Sequence, residues 1–432
     1  MDDNGLQFPS DFLWGAGTAA HQAEGFNIND WSEWETQNAA RLASEAEKAF
    51  GEKVPDWESI RSQAVSPSNY ISGRAADHYT RYKEDVKLAK QLGLRALKFS
   101  IEWSRIEPHE NQYNQEAIDH YVDFVRELKK NEIDPVIVLH HRTNPLWVRD
   151  QGDWLNPKTV LDFIRYSKKI VSLFKNDVRI WIPINEPIMS TTGGYIGGVY
   201  PPGKKSIYLG YKVYKNYVKA QNEAYKLIHS IVSNPLVGLS HAAVLVDPYN
   251  NRWINKLAVK LADYFGNFKI MNETLYDFIG VQYYSKAVID VRFTPSLLPK
   301  VEEVSQAGVK SDMGWTIYAP GIYEFIKKIV KYKKPIMITE NGIADQDDKL
   351  RFGYIEKHLA WIHKAIEEGV DVRGYFYWAL TDNMEWNKGF WPRFGLIEVN
   401  YNDYTRKIRK SAIAFSEIIK NNGLNNQNQN EN

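Results

Sequence analysis

The segment Asp77-His78-Tyr79-Thr80-Arg81-Tyr82-Lys83-Glu84-Asp85-Val86-Lys87-Leu88-Ala89-Lys90-Gln91-Leu92-Gly93, followed after Leu94-Arg95 by Ala96-Leu97-Lys98-Phe99-Ser100-Ile101-Glu102-Trp103, carries the fold in miniature. In its first part Tyr79, Tyr82, Val86, Ala89 and Leu92 recur at three- and four-residue steps, which predicts a helix over 77–92 that Gly93 stops. The second part is a short run of strand-forming residues. Outward from it the same alternation repeats. Strand runs fall at 12–20, 96–103, 135–141, 179–186, 236–243, 278–284, 335–340 and 372–380. Helical periods fall at 115–130, 157–174, 210–230, 321–334, 351–368 and 405–420, with 252–265 as an addition. Strand, helix, strand, repeated, predicts a parallel sheet. Eight runs with no Pro- or Gly-rich linker between them predict an α/β fold, a single closed (β/α)8 TIM barrel with elaborated βα loops. The alternative is an open doubly wound sheet, but Trp14-Gly15-Ala16-Gly17-Thr18-Ala19-Ala20 lacks the third glycine of a dinucleotide turn. One barrel is expected over 1–420 and a disordered polar tail over 421–432.

Composition narrows the function classes. The chain has 432 residues, with 54 Lys and Arg against 53 Asp and Glu, so no net field favours nucleic acid or an anionic membrane. Cysteine is absent, which excludes disulfides, thiolate metal sites and cysteine nucleophiles. No His and carboxylate group has a metal-ligand spacing, and no metal or cofactor is expected. No apolar run approaches the ~18 residues of a membrane span, and residues 1–11 lack a signal-peptide pattern, so a cytoplasmic location is expected. Aromatic residues reach 13%, with 14 Trp and 26 Tyr, enough to fill a core and also to build flat apolar walls.

In a TIM barrel the reactive groups sit where strands end and loops begin. Those ends supply His21, Gln22 and Glu24, then Glu102 and Trp103, His140 and His141, and Asn185 and Glu186. The later ends supply His241, Gln282, Tyr283 and Tyr284, Glu340 and Asn341, and Trp378. Glu186 closes Trp181-Ile182-Pro183-Ile184-Asn185-Glu186-Pro187, and Glu340 closes Pro335-Ile336-Met337-Ile338-Thr339-Glu340-Asn341-Gly342. A carboxylate at the end of an apolar strand is costly to desolvate unless something holds it. Either alone reads as a structural partner. The pair, on strands four and seven and each beside an Asn, reads as two acids that divide labour, one protonated and one ionised.

These two motifs resemble the acid/base and nucleophile motifs of glycoside hydrolase family 1, the retaining β-glycosidases. The likeness extends through Phe8-Pro9-Ser10-Asp11-Phe12-Leu13-Trp14-Gly15, Ala20-His21-Gln22-Ala23-Glu24-Gly25, Gly194-Tyr195-Ile196-Gly197-Gly198-Val199-Tyr200-Pro201-Pro202-Gly203 and Trp378-Ala379-Leu380-Thr381-Asp382-Asn383-Met384-Glu385-Trp386. The resemblance implies a cofactor-independent, exo-acting retaining β-glycosidase. Glu186 would be the general acid and base, and Glu340 the nucleophile. Tyr284 would orient Glu340, and Asn185 would hold the sugar 2-hydroxyl. Gln22, His141 and Glu385 would bind the remaining hydroxyls, with Trp378 as stacking floor and Trp386 as a further wall. The implied substrate is a small β-glycoside or oligosaccharide.

Three positions depart from the family's usual pattern. Lys98 stands for Arg beneath the nucleophile, losing a planar two-point grip. Arg142 follows His141 where the family reads Trp, and Gln282 stands for Asn. Glu385 would repel a phosphate, so a neutral β-glucoside, β-galactoside or β-fucoside is favoured over a 6-phosphorylated sugar. The alternatives are a glycan-binding protein with weak or no hydrolysis, motivated by Lys98 and Arg142, and a phospho-β-glycosidase. The segment 37–73 reads as a surface excursion with one short helix, long enough to roof one side of the entrance. No residue identifies an interface, and the oligomeric state stays open.

Overall fold

The computed structural model describes residues 5–293, 299–304 and 306–424. Eight strands form a closed parallel barrel: β1 (Leu13–Gly17), β2 (Ala96–Ser100), β3 (Asp134–His140), β4 (Ile180–Ile184), β5 (Leu236–Ala242), β6 (Phe278–Gln282), β7 (Ile336–Asn341) and β8 (Val372–Trp378). Each lies within a predicted run or within one residue of it. Closure comes from β8 pairing β1, with Tyr375 opposite Trp14 and Trp378 opposite Gly17.

The two faces of the strands are sorted by period two. Ala96, Val136, Val138, Ile182, Phe278, Met337 and Phe376 form one buried cluster inside the barrel. The alternate positions Leu97, Phe99, Ile137, Leu139, Trp181 and Leu239 join a larger core beneath the helices. Glycine makes the interior fit. A Cβ on Gly15 would meet the Phe376 ring at 2.5 Å, and one on Gly238 the Phe278 ring at 2.2 Å. The rings therefore occupy space that any side chain at those positions would claim.

The outer layer contains α1 (His78–Gln91), α2 (Gln115–Lys130), α3 (Lys158–Phe174), α4 (Ile207–Ile231), α5 (Trp253–Asp263), α6 (Pro320–Ile329), α7 (Arg351–Glu367) and α8 (Lys410–Asn421). The helix expected from 405 starts at Lys410. Arg406–Ile408 instead pairs antiparallel with Ile397–Val399, because the Arg406 guanidinium is drawn into a fully buried ion pair with Asp85. The polar tail expected from 421 is ordered at its beginning. Asn421 ends α8, the Asn422 side chain accepts from Trp14 Nε1 at 2.8 Å, and Gly423–Leu424 pairs with Leu6–Gln7. Composition concealed a pairing whose partner lies at the other end of the chain. Residues 425–432 lie outside those described.

The excursion over 37–73 holds more than one short helix. Asp30–Phe50 is a 21-residue helix whose N-terminus Asn29 closes in a capping box with Ser32. Ala39, Ala43 and Ala46 bury one face of it, and Trp57–Ala64 follows as a second helix. A three-stranded sheet of Val246–Pro248, Ala287–Phe293 and Pro299–Glu303 was not anticipated.

Asp382 anchors the loop after β8. Fully buried, it accepts from Arg409 Nη1 at 2.9 Å and Nη2 at 3.0 Å, and from the backbone N–H groups of Gly395 and Val399. Replacing Asp382 by Ala strands a buried guanidinium, a change that typically costs about 3–5 kcal/mol. Thermal denaturation of Asp382→Ala is expected to show a midpoint several degrees below that of the wild type.

Candidate active site

Strand β4 is buried along its whole length and is followed at once by the buried Asn185. Glu186 then adopts left-handed backbone, φ 46°, and Pro187 opens the short helix Pro187–Thr191. This turn brings the Glu186 carboxyl to the barrel mouth rather than into the helix layer. On the far side, parallel register sets Glu340 of β7 opposite Gln282 of β6. Both glutamates line one cavity of about 370 Å³ at the C-terminal end of the strands. Gln22, His141, Arg142, Gln282, Tyr284, Trp378, Glu385 and Trp386 line it with them. Asn185 and Lys98 are buried among the same side chains, bonded to groups that line the cavity.

Three donors fix Glu340. Its Oε1 accepts from Lys98 Nζ at 2.5 Å and Gln282 Nε2 at 2.7 Å, and its Oε2 from the Tyr284 hydroxyl at 2.6 Å. The loss of orientation expected from Lys98 is offset in this arrangement. Lys98 also donates to Asn185 Oδ1 at 2.9 Å, and Gln282 reaches the same oxygen at 2.8 Å, so two side chains share the grip.

Asn185 Oδ1 takes a third donor, Ser240 Oγ at 2.8 Å, which sets the orientation of the amide. Its Nδ2 accordingly donates to His141 Nε2 at 3.1 Å. The His141 proton then resides on Nδ1, which has no partner among the described residues. Burial, reinforced by Lys98 and Arg142, holds His141 well below the usual imidazole range, so the ring is neutral near pH 7.

The carboxyls differ in environment. Burial pushes Glu186 up from its ordinary range, Arg142 pulls against that, and the Glu340 charge adds to it. Arg142 Nη2 donates to Glu186 Oε2. Glu385 is pushed up to about 7 by burial, against the pull of Lys388 and Arg142. No described residue hydrogen-bonds the Glu385 carboxyl, which leaves both oxygens for a ligand. Gln22 is anchored through Nε2 to Met384 O at 2.7 Å, and its buried Oε1 has no described partner. Trp386 packs on Trp31, with ring centroids 4.5 Å apart, and stacks on His21. The long helix from Asp30 thus braces one wall.

Other strand-end groups stay out of the cavity. Glu24 is held by Arg105 and Tyr121, Glu102 by Ser104 and Thr143, His140 by Asn144, His241 by Asn267, and Asn341 by Tyr283 and Tyr354. Trp103 stacks on Tyr166 in the core. Conversely, Met189, Tyr200, Val244, Trp315, Lys388 and Phe394 line the cavity and were not singled out. Tyr200 was legible, since it lies inside a quoted motif. Trp315 was not, because it arrives on an irregular loop. Among the described residues no group of three or more His, Asp or Glu is placed to hold a metal ion.

The family model described as "Glycosyl hydrolase family 1" matches residues 5–274 and 266–424. The chain belongs to glycosyl hydrolase family 1. Beta-glucosidase A of Thermotoga maritima is 30% identical, the match covering 98% of this chain and 99% of the relative. A β-galactosidase of Pyrococcus woesei is 26% identical over 96% of this chain and 98% of the relative. Among solved structures, a β-glycosidase from Pyrococcus horikoshii superposes with a TM-score of 0.87 at 34% identity, covering 98% of this chain and 96% of that one. The Thermotoga maritima β-glucosidase in complex with glucoimidazole gives 0.83 at 29% identity, covering 97% and 100%. The chain is therefore a glycoside hydrolase of the β-glycosidase kind on a TIM barrel.

In this family 1 enzyme Lys98 is the buried cation common to Glu340 and Asn185. Lys98→Met removes that charge while keeping the stem. With an aryl β-glucoside as substrate, kcat is expected to fall by ~10²-fold or more, the scale for losing one preorganised electrostatic contact. Circular dichroism is expected to show the fold retained.

Proposed function

We propose that this glycoside hydrolase is a retaining exo-β-glycosidase that releases one neutral sugar at a time by double displacement. The observation that carries the reading is the unequal provision of two carboxyls on one cavity. Glu340 receives three donors and is fixed in orientation at the cavity wall. Glu186, desolvated and facing the Glu340 charge but paired with the Arg142 guanidinium, is the group placed to exchange a proton.

In the first step the Glu340 oxygen bonds to the anomeric carbon as the bond to the leaving oxygen breaks; that oxygen keeps the electron pair and either takes a proton from Glu186 or departs as an anion, and a glycosyl ester forms. In the second, Glu186 removes a proton from water, which attacks the same carbon and frees Glu340. Two inversions give net retention, a geometry that requires the carboxyls about 5–5.5 Å apart. Tyr284 and Lys98 keep Glu340 oriented in both steps. Asn185 Nδ2 and the His141 Nδ1–H are the donors next to the anomeric region. A donor to the 2-hydroxyl gains strength as positive charge develops on the ring. Gln22 Oε1 and the two Glu385 oxygens accept from the remaining hydroxyls, and Trp378 with Trp386 provides apolar surface.

Glu385 supports a neutral glycone of the glucose, galactose or fucose type and works against a phosphorylated sugar. The relatives agree in kind: those compared carry the names β-glucosidase and β-galactosidase. The weakly hydrolysing alternative was motivated by Lys98 and Arg142; the three-donor arrangement around Glu340 speaks against the first motive, while Arg142 contacts Glu186 itself.

Glu340→Ala is expected to abolish hydrolysis of a nitrophenyl β-glucoside and to recover turnover when azide is added. The rescued product should be the α-glycosyl azide, because azide replaces the nucleophile from its own side. Undiminished hydrolysis by the variant would contradict the assignment.

A further inference from the structure

Arg142 occupies an unusual place for a buried cation. Its Nη2 donates to Glu186 Oε2, and the two side chains are only 7% and 9% exposed. The guanidinium carbon lies 4.9 Å from the Trp386 ring and 5.2 Å from the Tyr200 ring, so aromatic surface flanks it. Nε and Nη1 have no hydrogen-bond partner among the described residues. Glu186 is the one carboxylate among them within ion-pair distance of Arg142.

A proton on Glu186 thus leaves a desolvated guanidinium facing a neutral acid, and an uncompensated buried charge is among the costliest changes a protein interior can suffer. The other charged groups around Glu186 do not relieve it. Lys98 from β2 is committed to Glu340 and Asn185. Glu340 from β7 is held by Lys98, Gln282 and Tyr284; it acts on Arg142 without bonding it, and its charge, with burial, pushes Glu186 up against the pull of Arg142. Tyr284, just after β6, is pushed well above the usual phenol range by burial and stays protonated. Glu385, beyond β8, interacts with Arg142 over a longer range and with Glu186 as a like charge.

We infer that Arg142 keeps Glu186 ionised through the first displacement and so restricts this enzyme to β-glycosides whose leaving group departs as a stable anion. Phenols, enols and carboxylic acids in glycosidic or ester linkage to the sugar form that class; alkyl alcohols and a second sugar do not. The inference rests on the retaining reading above. For such substrates the first step balances without a proton. The bond from the anomeric carbon to the leaving oxygen breaks with both electrons going to that oxygen, while the Glu340 oxygen forms the new bond. Glu186 enters as the base the second step needs. It takes a proton from water as the hydroxyl adds to carbon and the bond to Glu340 breaks, then returns that proton to solvent as it re-pairs with Arg142. Arg142 is a positioning residue here, acting through Glu186.

The test is kcat/KM across a series of aryl β-glucosides from dinitrophenyl to unsubstituted phenyl, with cellobiose as the sugar-leaving case. Wild type is compared with Arg142→Trp, Arg142→Gln and Arg142→Lys. Wild-type rates should fall steeply as the phenol becomes less acidic. Arg142→Trp and Arg142→Gln should flatten the series, raising the phenyl glucoside relative to the dinitrophenyl glucoside by about ten- to a hundredfold, part of the ~10²–10⁴-fold that a positioned acid contributes. The basic limb of their pH profile should move to higher pH, since losing the cation lets Glu186 hold its proton longer. Arg142→Lys, which keeps the charge, should preserve the steep series and the wild-type limb. Parallel series in all four proteins, or wild type cleaving cellobiose as readily as the dinitrophenyl glucoside, would overturn the inference while leaving the retaining reading intact. A wild type inert even to the dinitrophenyl glucoside, which needs no acid, would overturn both.

Discussion

The ion pair between Lys98 and Glu340, taken out of water at the end of the barrel, is the constraint around which the site is arranged. Two charges in such a place are tolerable only when each is paired and hydrogen-bonded. Glu340 accordingly receives Gln282 and Tyr284 as well, and Lys98 divides its ammonium between Glu340 and Asn185. Those contacts need β2, β4, β6 and β7 to end at one level, which a closed parallel barrel in fixed register provides. The scaffold explains the position of every group in the network, and the network explains why a lysine and a carboxylate are allowed there.

Three carboxyls share the cavity in three electrostatic conditions. Glu340 is surrounded by donors, Glu186 faces one guanidinium, and Glu385 has no hydrogen-bond donor among the described residues. On the proposed reading these environments separate their tasks: an oriented carboxyl, a proton carrier beside Arg142, and an acceptor pair left free for a ligand. The same reasoning accounts for the histidines. His141 is kept neutral by burial beside two cations, so its unpartnered N–H is available without adding a further charge.

The barrel was readable because both of its periodicities are strong. Apolar residues in the strand runs and three- and four-residue steps in segments such as 77–92 each follow from burying one face. The convergence of Gln22, His141, Glu186, Tyr284, Glu340, Trp378, Glu385 and Trp386 followed from strand ends and motifs together. What escaped notice depends on partners distant in sequence. Asn422 looks like tail until Trp14 and Phe8 are beside it. Arg406 starts a strand because Asp85 lies 321 residues away. Trp315 joins the cavity from a loop with no period to betray it. Lys98 and Gln282 read singly as losses from the family pattern, yet in space they serve the same two oxygens.

The most direct examination of this account is to incubate the enzyme with a mechanism-based 2-deoxy-2-fluoro β-glucoside bearing a good leaving group, then locate the label by peptide mass spectrometry. Accumulation of a covalent sugar on the peptide containing Glu340, with loss of activity in step, is the predicted result. Label on Glu186 or Glu385 instead, or release of a product of inverted configuration without any covalent species, would contradict it.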